Sequence, residues 1–308
     1  MSAADLPHIS GNTVAELVES GTRLLEAAQV SFGHGTTNAH DEAAWLVLWS
    51  LQLPLDTALD DAEESGRNTV ITPAQRTQVA TLFDKRVRTR HPAAYLTREA
   101  WLQGVAFYVD ERAIVPRSLI AELLVDGSMD AFLSDATHDV LDLCTGNGSL
   151  AILAAMAWPE VHVTGADISE AALAVARINL ARHGLQERVA LVVSDALSAV
   201  PGPWDLIICN PPYVNQTSMQ TLAPEYLAEP TLALAGGDDG MDFIRRLLAD
   251  ASAALRVDGV LLLEIGHERT HFEAAFPDLP VFWLETSAGD DQVLLITQAA
   301  LRGGAGTR

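Results

Sequence analysis

Chemistry is concentrated in the run Asn210-Pro211-Pro212-Tyr213, which follows the apolar stretch Asp205-Leu206-Ile207-Ile208-Cys209. The stretch reads as a buried strand. Two successive prolines have no N–H to give a sheet ladder, so they stop the strand and fix a stiff turn whose carbonyls neighbouring backbone does not use. An Asn carbonyl and the carbonyl of the next Pro can then both aim at one planar –NH2 group. A carboxamide nitrogen is a weak nucleophile because it shares its lone pair with the carbonyl, a resonance reflected in a rotation barrier of ~18–20 kcal/mol. Gripping both N–H groups fixes the nitrogen and favours the pyramidal form whose lone pair faces a methyl donor. Tyr213 would close the slot by stacking on the planar group, its ring face suiting the positive charge that accumulates during transfer.

The second signal is the loop Cys144-Thr145-Gly146-Asn147-Gly148, between a strand-like run at 140–143 and a helical stretch. Glycine lets a ligand approach backbone with no Cβ in the way. Asp167 ends the next strand-like run, where a carboxylate can accept both ribose hydroxyl protons, and Ser194-Asp195 ends the one after, near where an adenine amine would lie. Taken literally, the loop and Asp167 form a dinucleotide fingerprint, but S-adenosylmethionine enzymes seat an adenosine on the same kind of edge, and a tight structural turn is the plain alternative. The Asn-Pro-Pro-Tyr run separates these readings. A NAD enzyme has no use for a slot with two acceptors, whereas a methyltransferase acting on a planar amine does.

These residues need a sheet to hold them at one edge. Apolar runs at 140–143, 161–166, 189–193, 206–209 and 260–265 alternate with helical stretches at 150–157, 171–183 and 241–255. Near-continuous apolar strands alternating with helices predict a parallel sheet covered on both faces. Two further strands, 281–284 and 292–297, with Asp290-Asp291 as a turn between them, predict an antiparallel pair that completes a seven-stranded, Rossmann-like α/β domain. Upstream the period is helical. Apolar residues recur at helical spacing over 13–29, a second helix is expected over 41–51 with Pro54 ending it, and Thr72-Pro73-Ala74-Gln75 is a capping box opening a third. That third helix ends in Lys85, Arg86, Arg88 and Arg90, which either complement the helix dipole or contact a nucleic-acid or acidic partner. Tyr95-Leu96, Trp101-Leu102 and Phe107-Tyr108-Val109 read as short β runs, the last two forming a hairpin about Gly104. The expected division is a helical substrate-recognition domain over 1–91, a hairpin linker over 92–117, a catalytic domain over 118–302 and a disordered tail over 303–308.

Composition narrows the partners. The 308 residues hold 19 Lys and Arg against 41 Asp and Glu, a formal net charge of −22. Gripping bare DNA or anionic lipid needs clustered cations, so direct DNA binding is not expected, and neither is membrane insertion, since no apolar stretch approaches spanning length. A basic macromolecular partner is compatible with this charge, as is a plainly solvated acidic surface. The two cysteines, Cys144 and Cys209, have no second Cys or His at ligand spacing, so neither a metal site nor a disulfide framework is expected. Met1-Ser2-Ala3-Ala4-Asp5 lacks the basic start and apolar core of a signal peptide, which points to a cytoplasmic location.

Across most of its length the sequence resembles the glutamine methyltransferases that modify translation proteins, particularly the branch acting on large-subunit ribosomal protein three. The resemblance rests on Tyr95-Leu96-Thr97 with Glu99-Ala100-Trp101, on 107–112, on Val115-Pro116-Arg117-Ser118 and on Leu141-Asp142-Leu143-Cys144-Thr145-Gly146. It continues through Asn210-Pro211-Pro212-Tyr213-Val214, Glu225-Tyr226, Glu229-Pro230 and Ala233-Leu234-Ala235-Gly236-Gly237. The loop and tetrad belong to the whole superfamily, adenine-specific DNA methyltransferases included. Pro-Arg-Ser and Cys-Thr-Gly resemble the ribosomal-protein branch more than the release-factor branch, which typically has Pro-Arg-Pro and Gly-Thr-Gly. The resemblance implies S-adenosyl-L-methionine as cofactor, its methionine end on Cys144–Gly148, its ribose on Asp167 and its adenine near Asp195. It implies a glutamine amide held by Asn210 and Pro211, with Pro212 and Tyr213 shaping the slot. Phe107 would pack either against the cofactor or in the core, and Arg117 would either meet an acidic partner or steady the active-site loop. Release factors, or adenine in nucleic acid, are the alternative acceptors. Leu119 after Ser118, Asn147 and Ser149 in the loop, and Ala223 before Pro224 depart from the branch pattern without removing a group the chemistry needs.

Overall fold

A computed structural model describes residues 8–59, 66–134 and 136–304. The chain divides into two compact units, one of residues 1–99 with 223–228 and one of residues 100–222 with 229–308. The break falls at Glu99, the hairpin belongs to the second unit, and a short segment from within the second unit's span joins the first, which differs from a linker over 92–117.

The first unit is built on α1 (Val14–Ala27), α2 (Ala39–Ser50), α3 (Pro73–Thr89) and the short α4 (Ala93–Thr97). Thr13 and Asn38 cap α1 and α2 through their side chains, so α2 starts before Asp41 and ends at Leu51, short of Pro54. Thr72 and Gln75 form the reciprocal capping box expected of α3. Tyr95 and Leu96 lie in helix rather than strand. Pro92 starts the turn, the Thr97 hydroxyl bonds back to the Ala93 carbonyl, and Arg98 ends it in the left-handed conformation. Two of the residues at the basic end of α3 are held in ion pairs within this unit. Arg86 is fully buried, donating from Nε to Glu42 at 2.7 Å and from Nη1 to Glu225 at 3.1 Å. Arg90 also pairs with Glu225, so two cations and two carboxylates fasten segment 223–228 inside this unit. Burial holds the Glu42 carboxyl above its ordinary range despite Arg86, whereas Glu225, although burial opposes it, is lowered by the arginines that bond it.

The second unit opens with a hairpin, β1 (Ala100–Leu102) and β2 (Val105–Phe107), then α5 (Ile120–Val125). Its sheet is formed by β3 (Asp139–Leu143), β4 (His162–Asp167), β5 (Val189–Val193), β6 (Trp204–Cys209), β7 (Leu255–Glu264), β8 (Phe282–Thr286) and β9 (Gly289–Thr297). Their order is β5-β4-β3-β6-β7-β9-β8, with β5 through β7 parallel and β9 antiparallel to both neighbours. The fold is the Rossmann-like α/β class. Helices α6 (Ser149–Ala157), α7 (Glu170–His183), α8 (Gln216–Met219), α9 (Asp242–Ala254), α10 (Arg269–Ala275) and α11 (Gln298–Gly304) complete it, and two apolar clusters fill the layers on opposite faces of β3, β6 and β7.

The last hairpin turns at Ser287-Ala288, with Thr286 opposite Gly289, so Asp290 and Asp291 already lie in a strand. Gly303 and Gly304 end α11 instead of opening a tail, and residues 305–308 lie outside those described. Among the described residues no helix is long and apolar enough to cross a membrane.

Candidate active site at the carboxyl edge of the sheet

Strand order reverses at β3, whose neighbours are β4 and β6, and at such a point the loops leaving two adjacent strands diverge and open a crevice. The loop after β3, the ends of β4 and β5 and the Asn-Pro-Pro-Tyr turn after β6 all lie on this edge. One cavity is walled there by Cys144, Gly146 and Asp167 from the β3–β4 side, Asp195 after β5, and Asn210 and Pro212 after β6. Ile168, Leu232 and Phe243 add apolar wall. Thr145, Asn147, Gly148, Pro211 and Tyr213 are not among the residues that line it.

The β3 loop is shaped by its own polar groups. Cys144, Gly146 and Gly148 have φ of 61°, 56° and 81°, the left-handed region that favours glycine, so Cys144 is held there at some strain. Asp142, fully buried on β3, accepts from the Thr145 hydroxyl at 2.5 Å and from the Ala151 N–H at 2.9 Å, joining the loop to α6. Its other oxygen, and the Asn147 side-chain nitrogen, are buried without a hydrogen-bond partner. Burial and, less, the nearby Asp167 push the Asp142 carboxyl up to about 7, even though both hydrogen bonds favour the charge. Asp167 accepts from the Gly146 N–H at 2.9 Å and the Ser169 N–H at 2.8 Å, and burial raises its pKa as well. Each carboxylate oxygen offers two lone pairs, so Asp167 keeps acceptor capacity toward the cavity. A buried and a half-buried carboxylate beside backbone that no side chain obstructs suit a cationic nucleoside, which fits S-adenosylmethionine.

Asn179 from α7 ties this loop to the hairpin, accepting from the Tyr108 N–H while donating to the carbonyls of Tyr108 and Asn147. Phe107 is fully buried in the core, tilted 5.5 Å from the His183 ring, and is no part of the cavity wall. Asp195 is exposed and paired to Arg246 at 2.7 Å, a contact that solvent screens.

The turn after β6 is held differently. Val214 donates to the Leu234 carbonyl, Gly236 donates to the Val214 carbonyl, and a Cβ at Gly236 would lie 2.7 Å from Tyr213 Cα. The Ala-Leu-Ala-Gly-Gly run is therefore the bed of the tetrad. Arg117 makes two bonds of 2.7 Å to Glu229, which also accepts from the Val115 N–H, so Pro-Arg-Ser and Glu-Pro are partners and Arg117 steadies the loop. The Asn210 carboxamide makes no hydrogen bond among the described residues, although it lines the cavity. Sequence reasoning passed over Asp142, Asn179 and Glu264. Polar residues on otherwise buried strand or helix faces were the available signal.

Comparison with known proteins gives the family. The ribosomal protein uL3 glutamine methyltransferase of Bordetella pertussis is 52% identical over 94% of this chain and 96% of its own length. That of Burkholderia pseudomallei is 48% identical, over 96% of this chain and 97% of its own. The chain belongs to the uL3 glutamine methyltransferase family. The methyltransferase small domain model matches residues 122–237, which span β3 to β6 and the tetrad. The solved ribosomal protein L11 methylase from Lactobacillus delbrueckii subsp. bulgaricus aligns with a TM-score of 0.40 at 22% identity, over 58% of this chain and 75% of that one. Gly146 and Asn210, in the loops that follow the adjacent strands β3 and β6, line the same cavity.

Proposed function

We propose that this protein methylates the side-chain amide nitrogen of a glutamine in ribosomal protein uL3, with S-adenosyl-L-methionine as methyl donor. Family membership supports the reaction, and the observation that carries the site is the Asn210 carboxamide, open on the cavity wall beside the β3 loop. The Asn210 side-chain oxygen and the Pro211 carbonyl would accept from the two N–H groups of the glutamine amide, fixing it on the stiff turn. The cofactor, when bound, supplies a methyl group made electrophilic by its sulfonium. Cys144–Gly148 would seat its methionine end, with Asp167 holding the ribose and Asp195 near the adenine. Methylation of the nitrogen would leave a cationic amide that sheds one proton to solvent, and the Asn210 and Pro211 acceptors would orient the N–H groups from which that proton leaves. No general base is needed for attack, so positioning and fixed dipoles carry the rate. The helical first unit and the hairpin are the proposed recognition surfaces for the protein substrate.

The test is direct. Purified protein, S-adenosylmethionine and uL3 are incubated and the product sequenced by mass spectrometry, with a release factor as competing acceptor. The expected result is one added methyl on a uL3 glutamine. Methyl appearing only on the release factor, or on another residue type, overturns the reading.

A further inference from the structure

Glu264, the last residue of β7, is 4% exposed on a strand whose preceding residues, Val260 through Leu263, are all apolar and buried. Its two oxygens face different segments. Oε2 accepts from the Ser118 hydroxyl at 2.5 Å, from the Leu119 N–H at 3.0 Å and from the Ile120 N–H at 3.4 Å, holding the start of α5. Oε1 faces the Tyr213 hydroxyl at 3.4 Å. Two residues on, Gly266 makes room for the Tyr213 ring, since a Cβ there would fall 2.5 Å from Cε2. The end of β7 thus meets Tyr213 twice, with an acceptor for its hydroxyl and bare backbone for its ring.

Capping α5 does not by itself explain a carboxyl here, which burial already holds above its ordinary range. A glutamine would offer the three α5 donors one carbonyl oxygen, at far lower desolvation cost than a buried carboxylate. What a glutamine lacks is a second acceptor face, and the group opposite that face is the Tyr213 hydroxyl. Burial and the neighbouring Glu264 charge raise the Tyr213 hydroxyl well above its usual range, so it stays protonated and donates. At 3.4 Å the bond is longer than the ~2.7–2.8 Å common for O–H···O, and contacts of this kind often tighten only when the site is filled.

We infer that Glu264 is a positioning residue for methyl transfer, bridging the Pro-Arg-Ser segment to the acceptor turn by fixing the Tyr213 hydroxyl. This rests on the site reading above, in which the turn holds the glutamine amide. Tyr213 is not among the residues that line the cavity, so Glu264 acts through it on the aim of the Asn210 and Pro211 acceptors and leaves cofactor binding alone.

A double-mutant cycle tests this. In Glu264→Gln the side-chain oxygen stays with α5 and its –NH2 turns to Tyr213, removing the hydroxyl's acceptor. The expected result is kcat down about tenfold for Glu264→Gln and for Tyr213→Phe, no further loss in the double variant, and KM and cofactor affinity within about twofold of wild type. Losses that multiply, an unchanged kcat in Glu264→Gln, or a loss confined to cofactor affinity would each overturn the inference. Should Glu264→Gln fail to fold, Glu264→Asp, whose shorter side chain cannot reach both partners, replaces it in the cycle with Tyr213→Phe, with the same non-additivity expected. Asn210→Ala is run alongside. If that variant stays active, the site reading itself falls, a result distinct from failure of the Glu264 link.

Discussion

The two sides of the cavity are fixed by opposite means. On the side proposed for the cofactor, Asp142, Asp167 and Asn179 bond to backbone of the loop and its neighbours, so the loop is set by polar and acidic side chains packed beneath it. On the side proposed for the acceptor, the turn carries no such bonds to the Asn210 side chain among the described residues. Prolines stiffen it, and close packing on Gly236, Gly240 and Gly266 clamps Tyr213. The difference matches what each side must do. A loop receiving a cation gains from buried negative charge. A turn that grips a neutral amide must leave its acceptors unsatisfied, and backbone constraint fixes a group without occupying its hydrogen-bonding capacity.

The sharpest way to break this contrast is Asn210→Ala. If the carboxamide is an acceptor used during transfer, turnover should fall by roughly 10²–10³, the loss usual for one preorganised hydrogen-bonding group. Cofactor affinity measured by calorimetry should hold within about twofold, since the cofactor side is built independently of Asn210. Turnover within a few-fold of wild type would remove Asn210 from the chemistry.

A second expectation concerns the charge beneath the β3 loop. Asp142 has a carboxyl raised from 3.8 to about 7, with burial the leading cause. The folded state therefore holds this proton more tightly than the unfolded chain. Below about pH 4 both states are protonated and the group is neutral in its effect. Between about 4 and 7 the unfolded chain loses the proton first, so stability falls as pH rises, levelling off above 7. In Asp142→Asn this component disappears. The stability difference between variant and wild type, measured by denaturant unfolding, should grow in the variant's favour from pH 4 to pH 7 by roughly 3 kcal/mol. A difference that stays flat across that range would show that Asp142 is not a buried carboxyl straining to ionise.

Much of the contrast was legible before any coordinates. The tetrad, the glycine loop and Asp167 announce themselves because proline and glycine change backbone freedom wherever they occur, and the parallel strands because both faces are buried. Less legible were the side chains that act across long sequence separations. The Arg86–Glu225 pair joins residues 139 apart and Arg117–Glu229 joins residues 112 apart, so no local period marks them. Arg86 sits in an ordinary basic helix end and only tertiary packing reveals its burial. Tyr95-Leu96 misled for the converse reason: the residues favour strand, yet Pro92 and the back-bonding Thr97 close a helical turn around them. Phe107 kept two readings because an aromatic beside a glycine hairpin fits a core as well as a ligand, and its complete burial in the apolar cluster assigns it to the core.

The smallest expected effect belongs to Asp167→Ala. Its carboxylate already holds the Gly146 and Ser169 N–H groups, so its removal loosens the loop and also takes away the proposed ribose acceptor. Loss of a charged acceptor predicts a severalfold to roughly tenfold weaker cofactor affinity, because a hydrogen bond to a charged group contributes about 1.5–3 kcal/mol and water recovers part of it. The raised pKa of Asp167 adds a signature, because protonation in the wild type removes the same acceptor. Affinity in the wild type should weaken as pH falls toward the Asp167 pKa, and the variant should lack that part of the slope. Asp167→Asn helps to separate the two roles. Its side-chain oxygen can still accept from Gly146, so the loop keeps much of its anchorage while the charge is gone. Weak binding in both variants assigns the loss to the ribose contact, and weak binding in Asp167→Ala alone assigns it to the loop. Unchanged affinity in both would leave the cofactor side resting on Asp142 and the glycine backbone, and the division between a charge-set loop and a proline-set turn would rest on the Asp142 measurement.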